Sequence, residues 1–430
     1  MALRGGDGVN RLRFPTGQSD ALRTSAPWTA APWQQLTVYE GIADPAEPPD
    51  VWARDLLMLA NAAFVADRMS HYPGPADLQR EIRIDVPLAA PDSWKGQPIE
   101  LLARILGYLS GDLWSIEVRA GAVFHPTTQQ QLHERWRAAE VAVLSGGVDS
   151  TAGGAQIAAR SGGDALFLSY HHQAMDAVQT RVFQRLKNSV AQRPVHRVRV
   201  ESRLESGTVS SDDSQFRTRG LRFIGTGVYL AAAHGVDRLL VPENGQLALN
   251  PPLTASRAGA WSTRSMHPMV LQLLNELIRA VGGAVEVVNP LMDLTKGEVC
   301  RLALRCGLTE ADLMLTNSCS KPASNLGGAT HCGACFACLV RRSGFLAAGI
   351  SDSTDYLHGF GDDPLDGVLE ENLRAIELWL SRDFTLADLL VDLPLPAGTA
   401  DRILPVIVSG RTELEMLISQ ADAERVRGQK

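Results

Sequence analysis

The sequence predicts an α/β fold, a parallel sheet with helices on both faces, joined to a small N-terminal α+β domain. Short apolar runs alternate with helix-length stretches through residues 140–305. Val141–Leu144 and Ala165–Leu168 are continuously apolar, as in strands covered on both faces, and the intervals between the runs are long enough for crossover helices. A Gly-Gly turn follows the first run directly, at the carboxyl end of a strand, where sheets of this kind bind ligands.

In chain order, residues 1–35 are rich in Gly, Pro, Ser and Ala and read as a flexible lead-in. Residues 36–138 form the expected N-terminal domain. Leu56 to Ala66 reads as a helix, Glu81 to Leu88 alternates as a strand, Ile99 to Leu109 is helical, and Leu113 to Arg119 is a second strand. No catalytic motif lies there. Residues 139–316 carry the apolar runs Val141–Leu144, Ala165–Ser169, His196–Val200, Arg238–Val241 and Val285–Val288. Helices are expected at Gln179–Gln192, Phe223–His234 and Lys296–Cys306. Residues 317–350 hold four of the six cysteines, and 351–430 read as a helical extension with a charged tail.

Composition narrows the function. The 430 residues include 41 basic and 48 acidic side chains, a net charge of −7. Phosphate neutralisation needs clustered Lys and Arg, so a nucleic-acid partner is disfavoured. No apolar run approaches the ~20 residues of a membrane helix, and the start lacks a secretory pattern. A cytoplasmic location is expected, where cysteines are metal-bound or buried rather than paired as disulfides.

The first chemical signal is Ser145-Gly146-Gly147-Val148-Asp149-Ser150, directly after the strand Val141–Leu144. Adjacent glycines let the backbone turn sharply and approach an anion. Asp149, Ser150 and Thr151 are helix-starting types, and the first turn of that helix offers unshared N–H groups and a positive dipole end. Together these make a phosphate cradle. The second signal is Cys319, Cys332, Cys335 and Cys338, spaced C-x12-C-x2-C-x2-C. Such thiolates converge on one ion, and four suit a closed, structural zinc site. An iron–sulfur cluster is the metal alternative, although Leu339-Val340-Arg341 follows where a ferredoxin run would place its next cysteine. His331 is expected to be solvated or to sit behind the ligands. Cys300 and Cys306 read as core residues.

SGGVDS resembles the signature of the PP-loop ATP pyrophosphatases, a HUP-like, adenine nucleotide alpha hydrolase-like fold. The resemblance implies that ATP is bound by Ser145, Gly146, Gly147, Val148, Asp149 and Ser150, with Ser169 and Tyr170 at the end of the next strand. A substrate oxygen would attack the α-phosphorus while the loop holds the leaving pyrophosphate. Pro290-Leu291-Met292-Asp293-Leu294-Thr295-Lys296 resembles the family segment whose lysine reaches the phosphates. Arg217 and Arg219 resemble its loop arginine, with Arg219 assigned to catalysis beside Ser145, Asp149, Ser150 and Lys296. Magnesium is expected with ATP, though no acidic cluster marks its ligands.

With Ser318-Cys319 and CGACFACLVR ending at Arg341, the pattern is similar to the QueC family of 7-cyano-7-deazaguanine synthases. That family activates 7-carboxy-7-deazaguanine with ATP and adds ammonia, giving an amide and then a nitrile. The chain departs from it in its N-terminal domain and after the fourth strand. There Pro242-Glu243-Asn244-Gly245, Asn250-Pro251-Pro252-Leu253-Thr254 and Ser262-Thr263-Arg264-Ser265-Met266-His267-Pro268 resemble the QueC-like component of Qat anti-phage defence operons. The resemblance implies substrate contacts from Glu243, Asn244, Arg264 and Arg341. It also implies a deazaguanine acid as substrate and a protein from the same operon as amine acceptor. A tRNA-thiolating PP-loop enzyme and a non-catalytic scaffold are the competing readings.

Overall fold

A computed structural model describes residues 9–14, 29–30, 35–39, 49–72, 79–121, 136–170, 175–203, 217–250, 264–321, 326–359, 367–390 and 394–428. The expectations placed on 251–263 lie outside these residues.

Strands β1 (Asn10–Arg13), β2 (Thr29–Ala30) and β3 (Gln35–Tyr39) precede helix α1 (Val51–Met69), β4 (Glu81–Leu88), α2 (Gln97–Ser110) and β5 (Leu113–Ala120). Then come β6 (Glu140–Val143), α3 (Val148–Ala158), β7 (Ala165–Tyr170), α4 (Asp176–Arg185), β8 (Val195–Arg203), α5 (Arg219–His234), β9 (Arg238–Leu240), α6 (Gly245–Leu249), α7 (Pro268–Ala280) and β10 (Glu286–Val288). The chain continues with α8 (Lys296–Arg305), α9 (Glu310–Met314), α10 (Phe336–Ala347), α11 (Gly367–Leu380), α12 (Leu386–Leu390) and α13 (Ala400–Gly428). Two sheets result, in the orders β2-β1-β4-β5 and β10-β9-β6-β7-β8-β3. The fold is α/β, with helices on both faces of parallel strands. Among the described residues no helix is long and apolar enough to cross a membrane.

The chain divides into two compact units. The first comprises Met1–Val141, Val198–Leu240 and Gly259–Val288; the second comprises Ala142–Arg197, Val241–Ala258 and Asn289–Lys430. In the first unit β4 and β5 pair in parallel from Glu81 opposite Leu113 to Leu88 opposite Ala120, with α2 as the crossover. Asn10–Arg13, read from sequence as part of a flexible lead-in, instead pairs in parallel with β4. The cause is local: Leu12 and Phe14, two residues apart, are both buried. Gln35–Tyr39 pairs antiparallel with the end of β8, Gln35 opposite Arg203 and Tyr39 opposite Arg199. Arg80 is buried between the carboxylates of Asp67 and Asp112, each 2.6 Å away. Asp67 also accepts the N–H and hydroxyl of Thr218, at 3.0 and 2.9 Å, which ties α1 to the start of α5.

In the second unit the run Ala165–Leu168 of β7 is buried at every position, as expected of a strand covered on both faces. The expected helix Gln179–Gln192 is α4 continued by one π turn, Leu186–Val190. α10 and α13 pack through Phe336, Leu339, Val340, Leu414 and Leu417, with Ile376 of α11.

Candidate functional site

β6 delivers the chain into the loop at Ser145, where the turn needs Gly146 at φ +91°, a conformation that a side chain would strain. α3 starts immediately afterwards, with Gly147 as its N-cap. Ser150 Oγ accepts the N–H groups of Ser145 and Gly146, both at 3.2 Å, and lies 3.0 Å from Ser145 Oγ. Val148, Asp149 and Ser150 form the first turn of α3, whose N–H groups have no intrahelical acceptor. Ser169 Oγ donates to Leu144 O at 2.9 Å, fixing β7 to the strand end. Gln179 Nε2 bridges Ser145 O and Tyr170 O at 3.1 and 3.0 Å.

Asp149 is the hub. Lys296 is 1% exposed, and its Nζ lies 2.7 Å from both Asp149 oxygens. Asn244 Nδ2 donates to Asp149 Oδ2 at 2.8 Å, while its Oδ1 accepts Leu247 N–H and caps α6. This approach is close because α3 has glycine at position 153, where a Cβ would come within 2.5 Å of Pro242 Cγ. Asn244 is fully buried and holds both Asp149 and α6.

Glu243 stands beside the pair. Burial and the Asp149 carboxylate push its carboxyl from its ordinary 4.5 up to about 8, with Lys296 opposing. The folded state therefore binds this proton more tightly than the unfolded chain does. Its contribution to stability is complete below pH 4.5 and is lost as pH rises toward 8. Glu243→Gln is expected to raise the melting temperature by roughly 2–4 °C at pH 8 and hardly at all at pH 4.5. Equal shifts at the two pH values in thermal melts would contradict the protonated state.

The remaining expected residues divide. Arg341 is 0% exposed, its guanidinium bonded to Thr316 Oγ1 at 2.7 Å, Leu313 O at 3.0 Å and Thr354 Oγ1 at 3.2 Å. It clamps the approach to the cysteine segment. Arg219 and Arg264 belong to the first unit. Arg219 is exposed on the first turn of α5, its guanidinium 5.8 Å from the Phe223 ring centre. Arg217 is buried and donates to Tyr72 Oη at 2.6 Å and Ser110 O at 3.1 Å, which leaves Arg219 as the arginine facing outward. Arg264 is buried beside His267, whose imidazole burial and that charge push down to about 3.

The Sγ atoms of Cys319, Cys332, Cys335 and Cys338 lie within 4.8 Å of one another. Tetrahedral zinc, with Zn–S near 2.3 Å, requires sulfurs about 3.8 Å apart, and Cys332 and Cys338 are 3.8 Å apart. Backbone N–H groups of Lys321 and Cys332 point at Cys319 Sγ, and that of Cys335 at Cys332 Sγ, as thiolate ligands require. The donor set fits a structural zinc ion. His331, expected to be solvated or behind the ligands, is 1% exposed, and its Nε2 accepts the Ser318 N–H at 3.1 Å. It therefore braces the ligand loop. Cys300 is a core residue, as expected, and Cys306 is half-buried.

Sequence reasoning missed Asn317, whose N–H donates to Gly146 O at 2.9 Å and ties the cysteine segment to the loop. It also missed Gln246 and Glu413, described below. Backbone contacts of this kind leave no residue-type signal.

The family model for queuosine biosynthesis protein QueC matches residues 266–349, a stretch that includes Lys296, the cysteine cluster and Arg341. A 7-cyano-7-deazaguanine synthase of Methanothrix thermoacetophila is 29% identical over 242 residues, 51% of this chain and 98% of that protein. One from Saccharophagus degradans is 29% identical over 228 residues, 50% of this chain and 96% of its own. A third, from Cupriavidus pinatubonensis, is 43% identical over 75 residues, 17% of this chain and 30% of its own. The chain is similar to 7-cyano-7-deazaguanine synthases. The two longer matches each take in about half of the chain, so a comparable length lies beyond either of them.

Proposed function

We propose that the protein binds ATP on the 145–150 loop and adenylates the carboxylate of a 7-deazaguanine acid. The observation that supports this most directly is the convergence of Lys296 and Asn244 on Asp149, at the start of the helix that follows the Gly-Gly turn. A carboxylate oxygen of the substrate attacks the α-phosphorus, and the α–β phosphoanhydride bond breaks. Pyrophosphate leaves toward the first-turn N–H groups of α3 and the Lys296 ammonium, which stabilise its charge. On nucleotide binding Lys296 exchanges part of its pairing with Asp149 for phosphate oxygens. An amine nitrogen then attacks the acyl carbon, a proton is lost, and AMP departs to leave an amide. Magnesium accompanies the nucleotide.

The acceptor follows from the departures in the sequence. The segment from Pro242 to Pro268 resembles the Qat component, and residues 36–138 offer a domain for docking. These support an acceptor amino group on a protein of the same operon, in anti-phage defence, with Glu243 on the substrate side. The similarity to synthases supports a second reading, in which ammonia is the amine and the product proceeds to a nitrile. Incubation with ATP and 7-carboxy-7-deazaguanine should release AMP and pyrophosphate in equal amounts. Intact-mass spectrometry of co-expressed operon proteins should show a deazaguanine adduct, whereas ammonia alone should give a free small-molecule product under the second reading. Absence of AMP and pyrophosphate with every amine tried would reject both.

A further inference from the structure

α13 places Gly410 and Glu413 three residues apart, on one face, against the segment that presents Lys296. Glu413 is 7% exposed. Its Oε1 accepts the Thr295 hydroxyl at 2.5 Å and its Oε2 the Gly297 N–H at 3.1 Å. At Gly410 a Cβ would lie 2.1 Å from Gln246 Nε2, so glycine there leaves Gln246 its place. Gln246 Oε1 in turn accepts the Lys296 N–H at 2.9 Å. The two other donors of the first turn are met by Thr295, whose Oγ1 accepts Glu298 N–H and whose carbonyl accepts Val299 N–H. Every N–H of the first turn of α8 therefore has an acceptor, and one comes directly from α13. The Lys296 stem passes Gly344 of α10, where a Cβ would stand 2.2 Å from its Cγ.

A buried carboxylate is costly unless it serves several donors. Here it serves two, at the positive end of α8, with Arg301 adding attraction and Glu298 opposing it. A glutamine could accept from both donors only through its single carbonyl oxygen. We propose that Glu413 is a positioning residue for Lys296, fixing through the first turn of α8 the point from which the ammonium meets the nucleotide phosphates. This rests on the reading of Lys296 as a phosphate ligand. It assigns a role at the site to the stretch beyond residue 349, past the matched family segment.

The test is calorimetric titration of the full-length protein with magnesium-ATP, in a double-mutant cycle. Glu413→Gln is expected to raise the ATP dissociation constant about tenfold in the wild-type background and less than about twofold when Lys296 is already methionine. Leu414→Ala, on the same helix but in its core contact, should lower the melting temperature at least as much and leave ATP affinity unchanged. Hydrogen exchange gives an independent readout. The Gly297 amide should exchange faster in Glu413→Gln while amides of α10 stay protected. Equal losses in both backgrounds, no loss in either, or weakened ATP binding in Leu414→Ala would overturn the positioning role. A wild-type protein that binds no ATP would remove the nucleotide reading itself, and this inference with it.

Discussion

Asp149→Ala is expected to abolish measurable pyrophosphate release and to lower the melting temperature on the order of 10 °C. The two losses share a cause. Removing the carboxylate strands the Lys296 ammonium in a site that is 1% exposed, and breaking a buried pair on one side costs about 3–5 kcal/mol. It also takes the acceptor from Asn244 Nδ2, loosening the turn that carries Glu243. Loss of preorganised charge where pyrophosphate leaves costs about 100-fold to 1000-fold in rate. Asp149→Asn keeps the side-chain volume and one carbonyl oxygen that Asn244 and Lys296 must share, so it should fall between wild type and alanine in melting temperature while remaining impaired in turnover. An alanine variant that melts with the wild type and still releases pyrophosphate would mean that Asp149 is not the hub.

Cys335→Ser is expected to reduce bound zinc from one ion per chain to a small fraction of that, read by elemental analysis, and to expose residues 317–358 to protease. Structural zinc contributes about 10–16 kcal/mol of apparent binding free energy in small domains, and here the cluster core is little more than the cysteines and Leu326. Loss of the ion should also reach the 145–150 loop, because Asn317, two residues before Cys319, holds Gly146 O. ATP affinity should fall with zinc content under chelation and return on adding the metal. A brown preparation with visible absorption would reject zinc in favour of an iron–sulfur cluster.

Much of the second unit was legible in the sequence because its signals are local. A strand buried on both faces writes itself as an apolar run, so Val141–Leu144 and Ala165–Ser169 appear within a residue or so of their observed limits. The Gly-Gly turn and the cysteine spacing are likewise written in adjacent letters. What stayed hidden depends on distant partners. The guanidinium of Arg341 is held by Thr316, Leu313 and Thr354, none of them adjacent to it in sequence. Glu413 sits in an ordinary helical stretch, and nothing near it announces Thr295, 118 positions away. Leu12 and Phe14 are too short a signal to distinguish a buried strand from a loose tail.

The antiparallel strand β3 sets an order of events during synthesis. Gln35–Tyr39 emerges early, but its partner residues Arg199–Arg203 follow more than 150 positions later. At about 5–20 residues per second, the segment waits on the order of ten seconds on the ribosome before it can dock. The β3 edge of that sheet is thus completed late, after the 145–150 loop and its helix have already left the exit tunnel.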